Sequence, residues 1–209
     1  MRLFNFNFNE PHPSNTTTII GVVYDDGIIL GSTNTITQLN ANVVSCHCTH
    51  ETEILLEDVR KFIIDQENIK ITAEIIGTML SAFKPVMNNM LQTSIIIGGG
   101  KKLFEISDVG IVMEKVNFVV GGYGVAYLNN FLDKKWKKGM SEEQAEKLVL
   151  KILSLDISLG GVRSCGIQTA NINSNGVTKV FHPYNTLSIR GRDLVKSVPA
   201  RSVCLYQCQ

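Results

Sequence analysis

Three short stretches carry residue types able to do chemistry. Cys46-His47-Cys48-Thr49-His50 sets two thiols and two imidazoles within five positions. On an extended strand, Cys46, Cys48 and His50 would share one face. Structural zinc sites join two ligand pairs across a turn, and no second close pair lies nearby, since Cys204 and Cys208 stand far along the chain. We therefore read small buried thiols at a strand-to-helix junction, with no metal. Gly98-Gly99-Gly100-Lys101-Lys102 has glycines and cations that suit a phosphate, but lacks the Gly-Lys-Ser/Thr spacing and a strand-then-helix order. It reads as a turn between strands, with no cofactor. Lys134-Lys135-Trp136-Lys137-Lys138 reads as a solvated helix end, where cations complement the dipole, rather than as a nucleic-acid patch.

The bulk properties narrow the class. At 209 residues, the chain is long enough for one domain with a substantial core and short of the size at which chains split. Hydrophobic residues make up 44% and charged residues 19%, a globular composition. With 20 basic against 19 acidic side chains the net charge is +1, which gives no field to draw nucleic acid or an anionic membrane. No run of about 20 apolar residues occurs, and the first fifteen residues lack the apolar region of a secretory signal. The odd count of five cysteines fits reduced thiols inside a cell.

The elements that must position any site follow from periodicity. Residues 1 to 16, rich in Asn and Pro, read as a leader. Thr18 to Tyr24 and Ile28 to Gly31, around Asp25-Asp26-Gly27, predict a hairpin, and Val43 to Cys46 a further strand. Ile54, Leu55, Val59, Phe62 and Ile63 predict a helix capped within Thr49 to Thr52. A second helix is expected from Thr72, ended or bent by Pro85. Strands follow at Ser94 to Ile97, Leu103 to Ile106, Gly110 to Met113 and Phe118 to Val120. The glycines from 121 to 124 then turn into a helix through Trp136. Ser141-Glu142-Glu143-Gln144 is a capping box opening a helix through Leu153. Ser164 to Ala170 and Val177 to Phe181 form a last strand pair around Asn175-Gly176, giving a domain over 17 to 181 and an arm over 182 to 209. Helices in consecutive pairs between antiparallel strand groups predict an α+β fold, a four-layer α-β-β-α sandwich.

That order, with Thr17-Thr18-Ile19-Ile20-Gly21-Val22-Val23-Tyr24-Asp25-Asp26-Gly27-Ile28-Ile29-Leu30-Gly31 at its head, resembles the N-terminal-nucleophile hydrolases and, within them, the β-type subunits of the 20S proteasome core particle. Ile97-Gly98-Gly99, the glycines from 121 to 124, Met140 to Glu143, and Asp156 followed by Gly160-Gly161 fall where that family has comparable features. The opening strand and the arm from Pro183-Tyr184 are most similar to the trypsin-like beta-2 type, whereas Gly160-Gly161-Val162 suits the caspase-like beta-1 type. The resemblance implies a chain of the inner β ring among other α and β subunits, in a particle that degrades ubiquitin-marked proteins in cytoplasm and nucleus.

It also implies a site. Thr17 takes the nucleophile position, where the family uses the hydroxyl of a threonine freed by leader removal, an aspartate-fixed lysine beside it, and a Ser-Asp-Ser group. Here Thr33 stands where the aspartate is expected, two residues after Gly31, and no lysine precedes Lys61. A deletion between Thr37 and Asn42 is the expected cause. Asp156 keeps its supporting position, while the serine positions fall on Tyr123 and Leu159. Thr16 replaces the glycine at the processing point, so the leader is expected to be retained. The expectation is a catalytically degenerate subunit, the alternative an active threonine endopeptidase using Thr17 after leader removal.

Overall fold

The computed structural model describes residues 17–83, 94–122, 125–158 and 164–187. The leader with Thr16, Pro85, Tyr123, Leu159, Gly160-Gly161-Val162 and the arm from residue 188 onward, Cys204 and Cys208 included, lie outside the described residues.

Two antiparallel β-sheets form the centre. β1 (Thr18–Val23) and β2 (Gly27–Ser32) make the expected hairpin. β2 then pairs with β9 (Gly166–Asn173), β9 with β10 (Gly176–Pro183), and β1 on its other side with β8 (Phe118–Gly122). The order of this first sheet is β10-β9-β2-β1-β8. The second sheet runs in simple sequence order through β3 (Ile36–Gln38), β4 (Val43–His47), β5 (Ile95–Gly99), β6 (Lys102–Ile106) and β7 (Val112–Lys115).

Helices cover both outer faces. α1 (His50–Phe62) and α2 (Ile69–Phe83) pack on the second sheet through Leu56, Val59, Ile76 and Leu80 against Ile95, Ile97 and Phe104. α3 (Val125–Lys135) and α4 (Glu142–Ser158) pack on the first through Leu128, Leu132, Val149 and Ile152 against Ile20, Val22 and Ile29. Between the sheets Ile19, Ile28 and Leu30 meet Val44, Ile96 and Leu103. Three apolar layers thus separate four structural layers, the expected α-β-β-α sandwich, and strand alternation supplies both the inner and outer faces of each sheet.

Local chemistry explains most boundaries. Thr49 caps α1 by accepting from the Thr52 amide. The capping box closes reciprocally, Ser141 N donating to Gln144 Oε1 at 3.1 Å and Gln144 N to Ser141 Oγ at 3.3 Å. Three expectations need correction. α2 begins at Ile69 rather than Thr72, because Asn68 Oδ1 accepts from the Lys70 amide and acts as its cap. β3 was not foreseen, since three residues show no periodicity of their own and form a strand only by pairing with β4. Gly98 and Gly99 are strand rather than turn: a Cβ at Gly98 would stand 3.0 Å from Ile172 of the facing sheet, and the reversal comes at Gly100 and Lys101.

Candidate functional site around the head of the first strand

The first strand alternates between two neighbourhoods. Ile20 and Val22 face α3 and α4, whereas Ile19 faces the other sheet. Thr18 shares the parity of Ile20 and Val22, so its side chain meets the helical layer; Thr17, directly before β1, continues the opposite parity. Adjacent threonines therefore head for different surroundings, and this decides which of them meets the acid.

Asp156 comes to this place on α4. The core-facing stripe of that helix is Ala145, Leu148, Val149, Ile152 and Leu153, and Asp156 continues it by one more turn. Gly31 lets the helix sit close, since a Cβ there would stand 2.4 Å from Val149 Cγ1. Asp156 is fully buried. Its Oδ2 accepts from Thr18 Oγ1 at 2.5 Å, and its Oδ1 accepts from the Tyr127 hydroxyl on the first turn of α3. Neither of these bonds involves Thr17.

Thr33 completes the arrangement. Its Oγ1 accepts from the Thr18 amide at 3.0 Å and lies 3.3 Å from the Thr18 carbonyl, which also accepts from the Thr33 amide at 3.1 Å. Ser164 Oγ donates to the Thr33 carbonyl at 2.6 Å. The neutral residue at the position expected to be acidic thus satisfies the backbone of Thr18, and it is itself buried.

The electrostatics are those of a buried acid with no counter-ion bonded to it among the described residues. Burial pushes the Asp156 carboxyl above the ordinary aspartate range, and the hydrogen bond from Thr18 only partly offsets this. α4 has no basic residue in its last turn, and the negative end of the helix dipole disfavours an acid there. Among the described residues no lysine, arginine or histidine bonds to Thr17, Thr18, Thr33 or Asp156. Lys179 reaches toward the space between the sheets, donating to the Ile36 carbonyl at 3.2 Å. Its register runs through Ala170 and Leu30 to Gly21. It is therefore three strand spacings, about 14 Å, to the side of β1.

The stretch expected to hold a deletion, Thr37 to Asn42, spans the β3–β4 hairpin, closed by Leu39 N to Val43 O at 2.9 Å. The chain passes from the first sheet to the second over Thr33, Asn34 and Thr35. Cys46 and Cys48 are buried in the layer between the sheets. Burial raises both thiols, Cys48 to about 11 and Cys46 further, so both stay protonated and unreactive near neutrality. His47, also buried, places Nδ1 2.9 Å from the Thr49 carbonyl. Lys134, Lys135, Lys137 and Lys138 are exposed at the end of α3, while Trp136 turns inward and donates from Nε1 to the Val23 carbonyl at 3.0 Å. Its ring is committed to the core.

Sequence reasoning placed Asp156 at the site and missed Thr18 and Tyr127. The signal for Thr18 was available in the parity of Ile20 and Val22. Tyr127 had none, because it reaches Asp156 only through the way α3 lies beside α4.

Comparison with known proteins agrees with this architecture. The family model described as "Proteasome subunit" matches residues 63–162. The chain is 34% identical over 214 residues to "Proteasome subunit beta type-6" of Arabidopsis thaliana, covering 91% of each. It is 26% identical over 199 residues to the protein of the same name in Dictyostelium discoideum, covering 82% of this chain and 91% of the relative. To "Probable proteasome subunit beta type-1" of Encephalitozoon cuniculi it is 23% identical over 188 residues, with 80% and 92% covered.

Proposed function

The chain belongs to the proteasome β-type subunit family, and from that premise we propose that it serves the 20S core particle as a non-catalytic subunit of the inner β ring. One observation carries the reading. The Thr17 hydroxyl has no acid, base or cation bonded to it among the described residues, while the retained carboxyl of Asp156 is taken by Thr18 and Tyr127.

Thr17 marks a vestigial nucleophile position, and Asp156 a supporting position kept for another use. A threonine hydroxyl is a weak nucleophile unless a neighbouring group removes its proton. Each positioned acid–base group contributes about 10²- to 10⁴-fold, and groups that act as a unit fail together. With Thr33 in place of an acid and no lysine beside it, Thr17 has neither proton acceptor nor orienter among the described residues. The altered residue at the processing point, Thr16, supports a retained leader over residues 1 to 16. The arm over 182 to 209 would reach a neighbouring subunit, in a particle of cytoplasm and nucleus.

For the ring position, the opening strand and Pro183-Tyr184 favour the trypsin-like beta-2 type. Gly160-Gly161-Val162 favours the caspase-like beta-1 type, and the relatives above carry the names beta type-6 and beta type-1 rather than beta type-2. Cross-linking to identified neighbours within the particle discriminates the two.

The activity test is an intact-mass measurement of the chain from its native assembly, paired with a threonine-directed covalent inhibitor. The expected result is a mass that includes residues before Thr17, and no label. A chain starting at Thr17, or a labelled Thr17, would establish instead the active endopeptidase.

A further inference from the structure

A fully buried carboxyl at the negative end of a helix, with no cation bonded to it among the described residues, calls for a physical reason to be there. We infer that Thr18, Asp156 and Tyr127 form a clasp that fastens the start of β1 to the end of α4 and the first turn of α3, with Tyr127 acting as a positioning residue through Asp156. The inference deepens the non-catalytic reading and rests on it in one respect, that the carboxyl has no other duty.

The geometry supports it at each contact. Asp156 offers two oxygens, and each has its own hydroxyl donor from a different element: Oδ2 from Thr18 at 2.5 Å, Oδ1 from Tyr127. A buried carboxylate with both oxygens bonded avoids part of the cost of its lost hydration, and an unpaired one would not. Thr18 is held from the other side as well, its amide and carbonyl both bonded by Thr33. The side chain of Thr18 is thus held by Asp156 of α4 and its backbone by Thr33, directly after β2. The bond from the Tyr127 hydroxyl ties the start of α3 to the end of α4, at the residue that also holds Thr18. Tyr127 is 37% exposed, so its ring is not buried for packing alone, and its hydroxyl is nevertheless turned inward onto the acid.

Hydrogen exchange of the full-length chain tests the clasp, read on peptides covering Thr18–Val23 and on a distant control, Gly176–Pro183. The variants are Tyr127→Phe, Asp156→Ala, Asp156→Asn and the double Tyr127→Phe/Asp156→Ala. Tyr127→Phe removes one oxygen from a half-exposed ring and is compatible with folding. It is expected to speed exchange at the head of β1 roughly tenfold, the loss of one charge-assisted hydrogen bond, and to leave the control strand unchanged. On the Asp156→Ala background the same substitution should add nothing, because its partner is gone. Asp156→Asn should recover most of the protection, since an amide can accept from one hydroxyl and donate to the other. If Tyr127→Phe leaves the head of β1 as protected as in the parent, or adds its full effect on the Asp156→Ala background, the clasp is refuted. Inhibitor labelling of Thr17 separates the two ideas: a label ends the non-catalytic reading without making the exchange effects additive, and additive effects end the clasp without creating a label.

Discussion

The two ends of α4 follow opposite rules. At its start, Ser141 and Gln144 close the capping box, and Glu142 and Glu143 stand exposed where the dipole favours acids. At its finish, two residues before the end, Asp156 is buried, faces the negative pole of the same dipole and has no basic neighbour in the last turn. The first end is what helix formation alone would select. The second departs from it in charge, in burial and in placement at once, and such a departure is expected where a site has been, or still is, under a demand other than folding. The comparison teaches that one helix can carry an end set by local capping and an end set by tertiary contact, where two hydroxyls bond a buried acid.

The strongest way to break the comparison is to restore the missing acid. Thr33→Asp places a carboxylate against the Thr18 backbone while Asp156 holds the Thr18 hydroxyl, so two acids would share one buried residue with no cation among the described residues. An uncompensated buried charge costs about 3–5 kcal/mol. We expect a loss of that size in a urea titration, and no gain of inhibitor labelling at Thr17. The matching change at the other end, Gln144→Glu, should cost nothing measurable, since glutamate also closes a capping box and suits the helix start. Equal losses at both ends would remove the contrast, and labelling of the Thr33→Asp chain would show that the acid alone was missing.

A smaller effect should appear with pH. The folded state holds the Asp156 proton more tightly than the unfolded chain, whose aspartates titrate near about 3.9. A raised folded value means that the ionised form costs stability at neutral pH, and that this cost disappears as pH falls through the folded value toward the unfolded one. Among the described residues the groups bonded to Asp156 are Thr18 of β1 and Tyr127 of α3, neither of them charged near neutrality. The parent chain should therefore gain stability relative to Asp156→Asn as pH is lowered from 7 toward about 4, in paired urea titrations. A relative loss over that range would mean that the carboxylate is stabilised by a cation, and the dead-site reading would fall with it.

What the sequence disclosed follows the same division. The Asp25-Asp26-Gly27 hairpin, the capping box and the Asn175-Gly176 turn are local, set by residues that choose their own backbone, and all three stand in the fold. β3 and the strand character of Gly98 are not local. The first exists through its partner strand, the second because a facing sheet leaves no room for a side chain. At the site, Asp156 could be named by its place on the stripe of α4. The partner of that acid could not, since Tyr127 and Asp156 are 29 residues apart and meet only once α3 and α4 lie on the sheet.

The smallest expected effect lies at the orderly end, and it sharpens the contrast by being ordinary. Ser141→Ala removes the oxygen that accepts from the Gln144 amide and leaves the reciprocal bond from the Ser141 amide to Gln144 Oε1 available. Loss of an N-cap hydroxyl costs about 1 kcal/mol. The cap is exposed to solvent, so water can take over the freed amide, and the effect should stay at or below that figure. It should also remain local: exchange should quicken in the first turn of α4 and stay unchanged at Thr18–Val23, at the far end of the same helix. Ser141→Ala and Tyr127→Phe should then add in the double variant, because the groups they remove share no partner. Coupling between them would mean that the two ends of α4 act as one unit, and the division drawn between an end set by local capping and an end set by tertiary contact would not hold.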